Sequence, residues 1–394
     1  MHRILNLFKL ELNPNRIYGL DILRAIAILF VVMVHGGHFM PPARYKYIYA
    51  IIFDGVAIFF VLSGFLIGGI LIRVMNKEGV NGKVMLKFWK RRWFRTLPNY
   101  FLILLVLLTL NILFTEDFDT TGKYKYFFFI QNLFTEHPRF FGEAWSLSIE
   151  EWFYLLLPIC LFLVTRVFKL NVNKSLLVVA VGFIVCVTLF RFYRYLNLDI
   201  NGKYIWDKTL RRQVFTQLDS LMFGVIGAYI HHFFYVHWAR FRKPLLFLGI
   251  FFFLMVRYNL FKFAPFGLYN CVFSFTFNSL ATLCVLPYLS TLRDGKGFVY
   301  KVFTYISLIS YSMYLINSNL MKFIFDRINW TPLEDFNGYV FLLVRYFLYW
   351  LVTIGISILL YKYFELPMMN LRDKKNWNLL GMFKRKNKVS EGED

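Results

Sequence analysis

Three ionisable side chains lie in one apolar stretch, GLDILRAIAILFVVMVH, from Gly19 to His35. In a membrane each is costly unless it faces a cavity or a partner. Asp21, Arg24 and His35 therefore mark a stripe turned toward something polar. On a helix the step from Arg24 to His35 amounts to about 1100°, three turns and roughly 20°, so both share a face about 16 Å apart along the axis. A histidine at one end suits proton transfer, and a guanidinium toward the other suits an anion.

A second cluster follows in KRRWFRTLP. Arg91 and Arg95 fall on one helical face, with Arg92 beside them. Guanidinium groups at a membrane boundary bind phosphate in a bidentate manner. They serve equally as ordinary positive-inside anchors, as do Trp89 and Trp93. The third cluster is EAWSLSIEEWFYLLLP. Glu150 and Glu151 stand at the start of an otherwise apolar run and point about 100° apart, so one of them faces the core comfortably. Glu150 shares a side with Ser146 and Tyr154 and is the carboxylate expected to act. The competing reading is a carboxylate at a helix N-terminus.

Weaker polar spots are Ser63 beside Gly64, the lone Asp219 in TQLDSLMFG, a stripe from Ser310 to Asn317 in SYSMYLIN, and Glu365 in YFELP. Asp21, Ser63, Ser146, Tyr154 and Asp219 are candidates for lining a groove. Helix-to-helix hydrogen bonding and small-residue packing compete with that role. The four cysteines have no metal spacing and read as small buried hydrophobes. No metal site and no bound cofactor are expected.

Elements must carry these groups through a bilayer. Of 394 residues, 58% are hydrophobic and 17% charged, which makes the chain a polytopic membrane protein. Its net charge of +22 would suggest nucleic acid in a soluble protein; in this one it suggests loops held against an anionic leaflet, with no nucleic acid partner. Apolar runs place about ten transmembrane helices. They fall near 17–37, 48–73, 96–115, 147–166, 174–192, 214–235, 244–258, 267–290, 303–325 and 339–364. Segment 124–135 is too short to span and is expected to be interfacial or re-entrant. The fold is all-α, with 1–16 a cytoplasmic segment, 17–370 the membrane domain and 371–394 a basic, then acidic, tail. No cleavable leader and no soluble domain are expected. The positive-inside rule puts both termini in the cytoplasm. The loop from Arg191 to Arg212 is the exception, external yet basic: it lines a groove for an anion or exposes a boundary error.

On this topology His35 and Glu150 meet on the outer side, as a pair that would fix the imidazole for general-base work. Arg24, Arg91, Arg92 and Arg95 gather toward the cytoplasm, where a phosphorylated donor would be held.

At these residues the chain resembles the acyltransferase-3 family of integral membrane acyltransferases, from about residue 17 to 370. The resemblance rests on Arg24 and His35 in LDILRAIAILFVVMVH, FFVLSGFL at 59–66, RRWFR at 91–95, FIQNL at 129–133 and WSLSIEEWFY at 145–154, in the family's order. It implies transfer of an acyl group, usually acetyl, from cytoplasmic acyl-CoA to a hydroxyl of a surface or lipid-linked carbohydrate at a bacterial inner membrane. Carried over, His35 matches the essential histidine and Arg24 its partner. Arg91, Arg92 and Arg95 match the arginine cluster, and Glu150 the glutamate before Phe-Tyr. The chain departs from many relatives at Ala57, where they have an acid and Asp54 is the nearby substitute, and at Asn317, where they have histidine. A rival from another class is a transporter or flippase of a lipid-linked sugar, using the same groove without chemistry; the lack of an internal repeat counts against it.

Overall fold

The computed structural model describes residue 10 and residues 16–331 and 337–372. The basic and acidic tail beyond 372 lies outside the described residues, as does the N-terminal segment except Leu10 and Arg16.

All ten apolar runs are helical. In chain order the helices are α1 (Tyr18–Gly36), α2 (Pro42–Ile51), α3 (Gly55–Glu78), α4 (Gly82–Phe114), α5 (Ala144–Val167), α6 (Val172–Asn197), α7 (Leu218–Phe233), α8 (Arg242–Tyr258), α9 (Ser274–Thr291), α10 (Gly297–Ile316) and α11 (Gly338–Leu360). Among the described residues eight segments are long and apolar enough to cross a membrane, and no strand occurs. Of the ten runs, those at α7 and α8 fall outside the eight, the helices being 16 and 17 residues long. Large apolar side chains such as Leu113 and Phe347 remain exposed on the outer helical faces, as lipid contact requires.

The stretch between the second and third spans is not a long loop. Helix α3 runs to Glu78 and α4 starts at Gly82, joined by a turn with Gly79 at φ 73° and capped by Asn81, whose Oδ1 accepts from Val84 N at 3.0 Å. The residues of RRWFR therefore ride on a continuous helix of 33 residues. They are too charged for a hydropathy window to count as a span, yet nothing in them breaks the helix.

Helices α3 and α7 make the most extensive pair. Backbone approach sets that contact: a Cβ at Gly64 would sit 1.8 Å from the Leu221 carbonyl oxygen, and one at Gly224 would sit 2.0 Å from that of Val61. Gly64 and Gly68 are thus packing residues, whereas the adjacent Ser63 points elsewhere. Gly64→Ala forces the two helices apart. The expected outcome is loss of the monodisperse peak in size-exclusion chromatography of detergent-solubilised protein, whereas Gly69→Ala, where a Cβ meets nothing within 4 Å, is tolerated.

Segment 124–135 does fold back without crossing. A 3₁₀ turn over Lys123–Phe128 leads to Gln131 and Asn132, both buried against the start of α5. Gln131 Nε2 donates to Ser148 Oγ at 2.5 Å, and Asn132 Nδ2 donates to the Trp145 and Arg212 carbonyls at 3.0 and 2.6 Å. These amides anchor the first turns of α5, the helix that carries the glutamates.

Candidate active site

A central cavity runs between α1, α3, α4, α5 and α10. Its volume is about 740 Å³ with the open mouth included, in the range of small-molecule sites. Ten of the residues singled out in the sequence line it: Arg24, Ser63, Arg92, Arg95, Ser146, Glu150 and Tyr154, with Ser310, Tyr311 and Tyr314 of the polar stripe. Among the described residues none of Arg24, Arg92 and Arg95 has a carboxylate within ion-pair distance. Arg92 rests over the Tyr154 ring, 5.6 Å from its centroid. Three guanidinium groups converge on a lining that holds a single carboxylate, Glu150, among the described residues, and this excess of positive charge makes a site for an anion.

A second pocket opens on the same side as the α3–α4 turn, lined by Lys87, Arg91, Arg92, Arg95 and Arg372. Arg91 is exposed there, and Lys87 is engaged by Glu78 at 3.1 Å. Arg92 and Arg95 line both spaces, so the arginine cluster stands between this face and the central cavity.

Glu150 faces the cavity, accepting from Ser63 Oγ at 3.2 Å and Tyr154 OH at 2.9 Å. Helix α5 begins six residues earlier, at Ala144, so Glu150 does not act on the helix N-terminus. Its neighbour is buried as well: Glu151 accepts from Thr96 Oγ1 at 2.7 Å. Both carboxylates face inward because α5 packs on α3 and α4 on adjoining sides, which corrects the expectation that only one would be at ease there.

At the opposite end the cavity closes on Ser146 and Tyr314, whose hydroxyls lie 2.5 Å apart, with Tyr314 OH also donating to the Glu143 carbonyl at 3.0 Å. Asn317 stands about one turn farther along the chain. Its Nδ2 donates to the Met313 and Tyr314 carbonyls, both at 2.8 Å, which leaves Oδ1 as the acceptor. His35 Nδ1 meets that oxygen at 2.5 Å. The geometry fixes the tautomer: Nδ1 carries the proton and Nε2 keeps its lone pair, with no protein partner among the described residues. His35 is half-buried and lies one residue beyond the cavity lining rather than on it.

The expected His35–Glu150 pair does not form; Ser63 and Tyr154 hold Glu150, and Asn317 holds the imidazole. Glu143 is the residue of this end that the sequence does not single out. Glu143, just before α5, accepts from Asn319 N at 2.8 Å, and burial pushes its carboxyl up to about 7. The sequence marks Asn317 twice, as the end of the SYSMYLIN stripe and as an amide where relatives have histidine, but does not pair it with His35.

Asp21 and Asp219 do not line the cavity. Asp21 pairs with Arg16 and accepts from Ser307 Oγ at 2.7 Å. Asp219 forms a fully buried ion pair with Arg191, Nη2 to Oδ2 at 2.6 Å. The basic stretch from Arg191 to Arg212 is explained by the same pairing. Helix α6 extends to Asn197 and carries Arg191 inside, while Lys208 meets Glu136 and Arg211 meets Asp54 and Asp207. Removing one partner of the buried pair strands a charge at a cost of about 3–5 kcal/mol. Arg191→Met should therefore lower the thermal unfolding midpoint in detergent sharply, and Arg191→Met with Asp219→Leu should recover most of the loss.

Fold and site together define a polytopic helical membrane protein with an arginine-lined internal cavity. The comparisons with known proteins agree. Residues 17–362 match the acyltransferase domain of the acyltransferase-3 group, and the chain belongs to that family. Among curated proteins it is similar to O-acetyltransferase OatA of Staphylococcus aureus. In strains NCTC 8325 / PS 47, COL and MRSA252 the identity is 27% over 234 residues, covering 55% of this chain and 35% of OatA. The match thus spans about a third of those relatives' length. No solved structure is significantly similar to the chain.

Proposed function

We propose that the protein is a membrane O-acyltransferase that moves an acyl group, acetyl in the first instance, from acyl-CoA to a hydroxyl of a cell-surface or lipid-linked carbohydrate. The observation that carries this reading is the set of three guanidinium groups, none held in an ion pair among the described residues, in a cavity that shares Arg92 and Arg95 with the pocket at the α3–α4 turn. A nucleotide donor with several phosphates supplies the missing negative charge, and its narrow arm with a terminal thioester suits the remainder of the cavity toward Ser146 and Tyr314. With the arginine face cytoplasmic, as the positive-inside rule puts it, the donor comes from the cytoplasm of a bacterial inner membrane.

In the reaction the acceptor oxygen attacks the thioester carbonyl, the new C–O bond replaces C–S, and coenzyme A leaves as its thiol. His35 Nε2 takes the hydroxyl proton as general base, and Asn317 holds the ring in the competent tautomer. Glu150, fixed by Ser63 and Tyr154, lies beside the arginines; its role is to position Arg92 through the Tyr154 ring rather than to orient the histidine. OatA carries O-acetyl transfer in its name, and the family membership favours chemistry over passage of a lipid-linked sugar.

Proteoliposomes given acetyl-CoA and a bacterial glycan extract separate the two readings. Transferase activity releases free thiol only when glycan is present. Movement of a fluorescent lipid-linked sugar across the bilayer with no thiol release would replace the enzyme by a transporter.

A further inference from the structure

A third cavity lies at the His35 end of the molecule, between the start of α3, the start of α5 and the approach to α9. Its space is about 610 Å³ with the mouth included. It is separate from the arginine-lined cavity but shares the Phe60 wall with it, and Trp145 of the one precedes Ser146 of the other. We propose that it binds a neutral saccharide ring, as the acceptor subsite of the transfer reaction; in that last respect it rests on the function proposed above.

The lining chemistry is that of a polyhydroxylated, uncharged ligand. Gln217, Asn270 and Asn278 bring three carboxamides to the wall, joined by the hydroxyls of Ser220 and Ser274. A carboxamide donates and accepts at once, which matches hydroxyl groups that do the same. Gln217 Oε1 accepts from Ser220 Oγ at 3.2 Å, and Asn270 Nδ2 is tied to the Ala264 carbonyl at 2.9 Å. Gln217 Nε2, Asn270 Oδ1 and the whole Asn278 carboxamide have no side-chain hydrogen bond among the described residues. Gln217 is buried and Asn270 and Asn278 are half-buried, so these groups are left to take partners from the cavity's contents.

Aromatic rings complete the wall. Trp206 lies parallel to Phe275, 5.4 Å between centroids and 9° between planes, and Trp145 stands edge-on to Phe60. Such surfaces take the C–H faces of a pyranose, while amides take its hydroxyls.

Charge decides between neutral and anionic sugars. The one carboxylate on the wall, Asp54, is engaged by Arg211 through contacts of 3.1 and 3.2 Å and by the Val56 and Ala57 amides. Arg211 is in turn held by Asp207 and packs over the Trp145 ring at 4.9 Å. No uncompensated cation lines this space, unlike the donor cavity. A uronate or a phosphosugar would find no counter-charge, and an acyl-CoA no phosphate site. The small Ala57 keeps the floor open.

The test uses the full chain in nanodiscs without any acyl donor, read by saturation-transfer-difference NMR. The probes are N,N′-diacetylchitobiose, methyl β-glucoside and glucuronate. The proposal expects saturation transfer to at least one neutral sugar and less to glucuronate. It expects a loss of about five-fold or more in Asn278→Ala, the weight of a hydrogen bond, and in Ala57→Phe, which fills the floor. Either variant eluting as wild type in size exclusion is sufficient. No transfer to either neutral sugar above empty nanodiscs, signals undiminished in the folded variants, or preference for glucuronate would overturn it. Because no donor is present, sugar binding without acetylation strikes only the proposed activity. Acetylation without binding in this cavity strikes only the subsite.

Discussion

His35→Ala should lower the rate of acetyl transfer by about 10²–10⁴-fold, the usual weight of a positioned general base, while leaving the KM for acetyl-CoA nearly unchanged. The split follows from geometry. His35 is outside the lining of the arginine cavity, so its loss removes no donor contact. Its one side-chain partner among the described residues is Asn317, whose two donated hydrogen bonds to α10 carbonyls dictate which ring nitrogen carries the proton. A comparable rise in the KM for acetyl-CoA in His35→Ala would place the histidine in donor binding instead. Steady-state kinetics of the variant in nanodiscs, with both substrates varied, makes the distinction.

Arg92→Gln and Arg95→Gln should show the opposite split. Each side chain lines both the pocket at the α3–α4 turn and the central cavity, where the anion must pass or stay. A charge-assisted hydrogen bond to phosphate is worth about 1.5–3 kcal/mol, so the KM for acetyl-CoA should rise roughly 10–100-fold per variant with a smaller change in kcat. The effect should also lessen with truncated donors. Acetyl-pantetheine lacks the nucleotide phosphates, and its KM should respond little to either substitution. Equal sensitivity of both donors would mean that the arginines hold the helices together rather than the phosphates. Arg91 is exposed at the mouth and should matter less than the other two.

The arginine side of the candidate site was legible in the sequence for a physical reason. Ionisable groups in apolar runs are rare enough that Arg24, Arg92, Arg95 and Glu150 identify themselves, and helical spacing adds Ser146 and Tyr154 to the same face. What spacing cannot convey is which charge already has a partner. Asp219 and Glu150 look alike in the sequence, each a carboxylate in an apolar run. Only the packing of α6 on α7 shows that Arg191 neutralises the first. Asp21 is likewise taken by Arg16 and Ser307. Asn317 is visible in the sequence as the end of a polar stripe, but its contact with His35, 282 positions away in the chain, is not. The spacing of Arg91 and Arg95 already implies helix ahead of the third span, but its start at Gly82 is not legible because hydropathy registers where a helix enters lipid, not where it begins.

The most direct measurement is transfer of radiolabelled acetyl from acetyl-CoA to a polysaccharide extract by the purified chain in nanodiscs, beside His35→Ala. The account predicts label in the carbohydrate, dependent on the extract, with none stably held on the protein and almost none transferred by the variant. Transfer undiminished in a folded His35→Ala protein, or no transfer by the wild type in the presence of a competent acceptor extract, would contradict it.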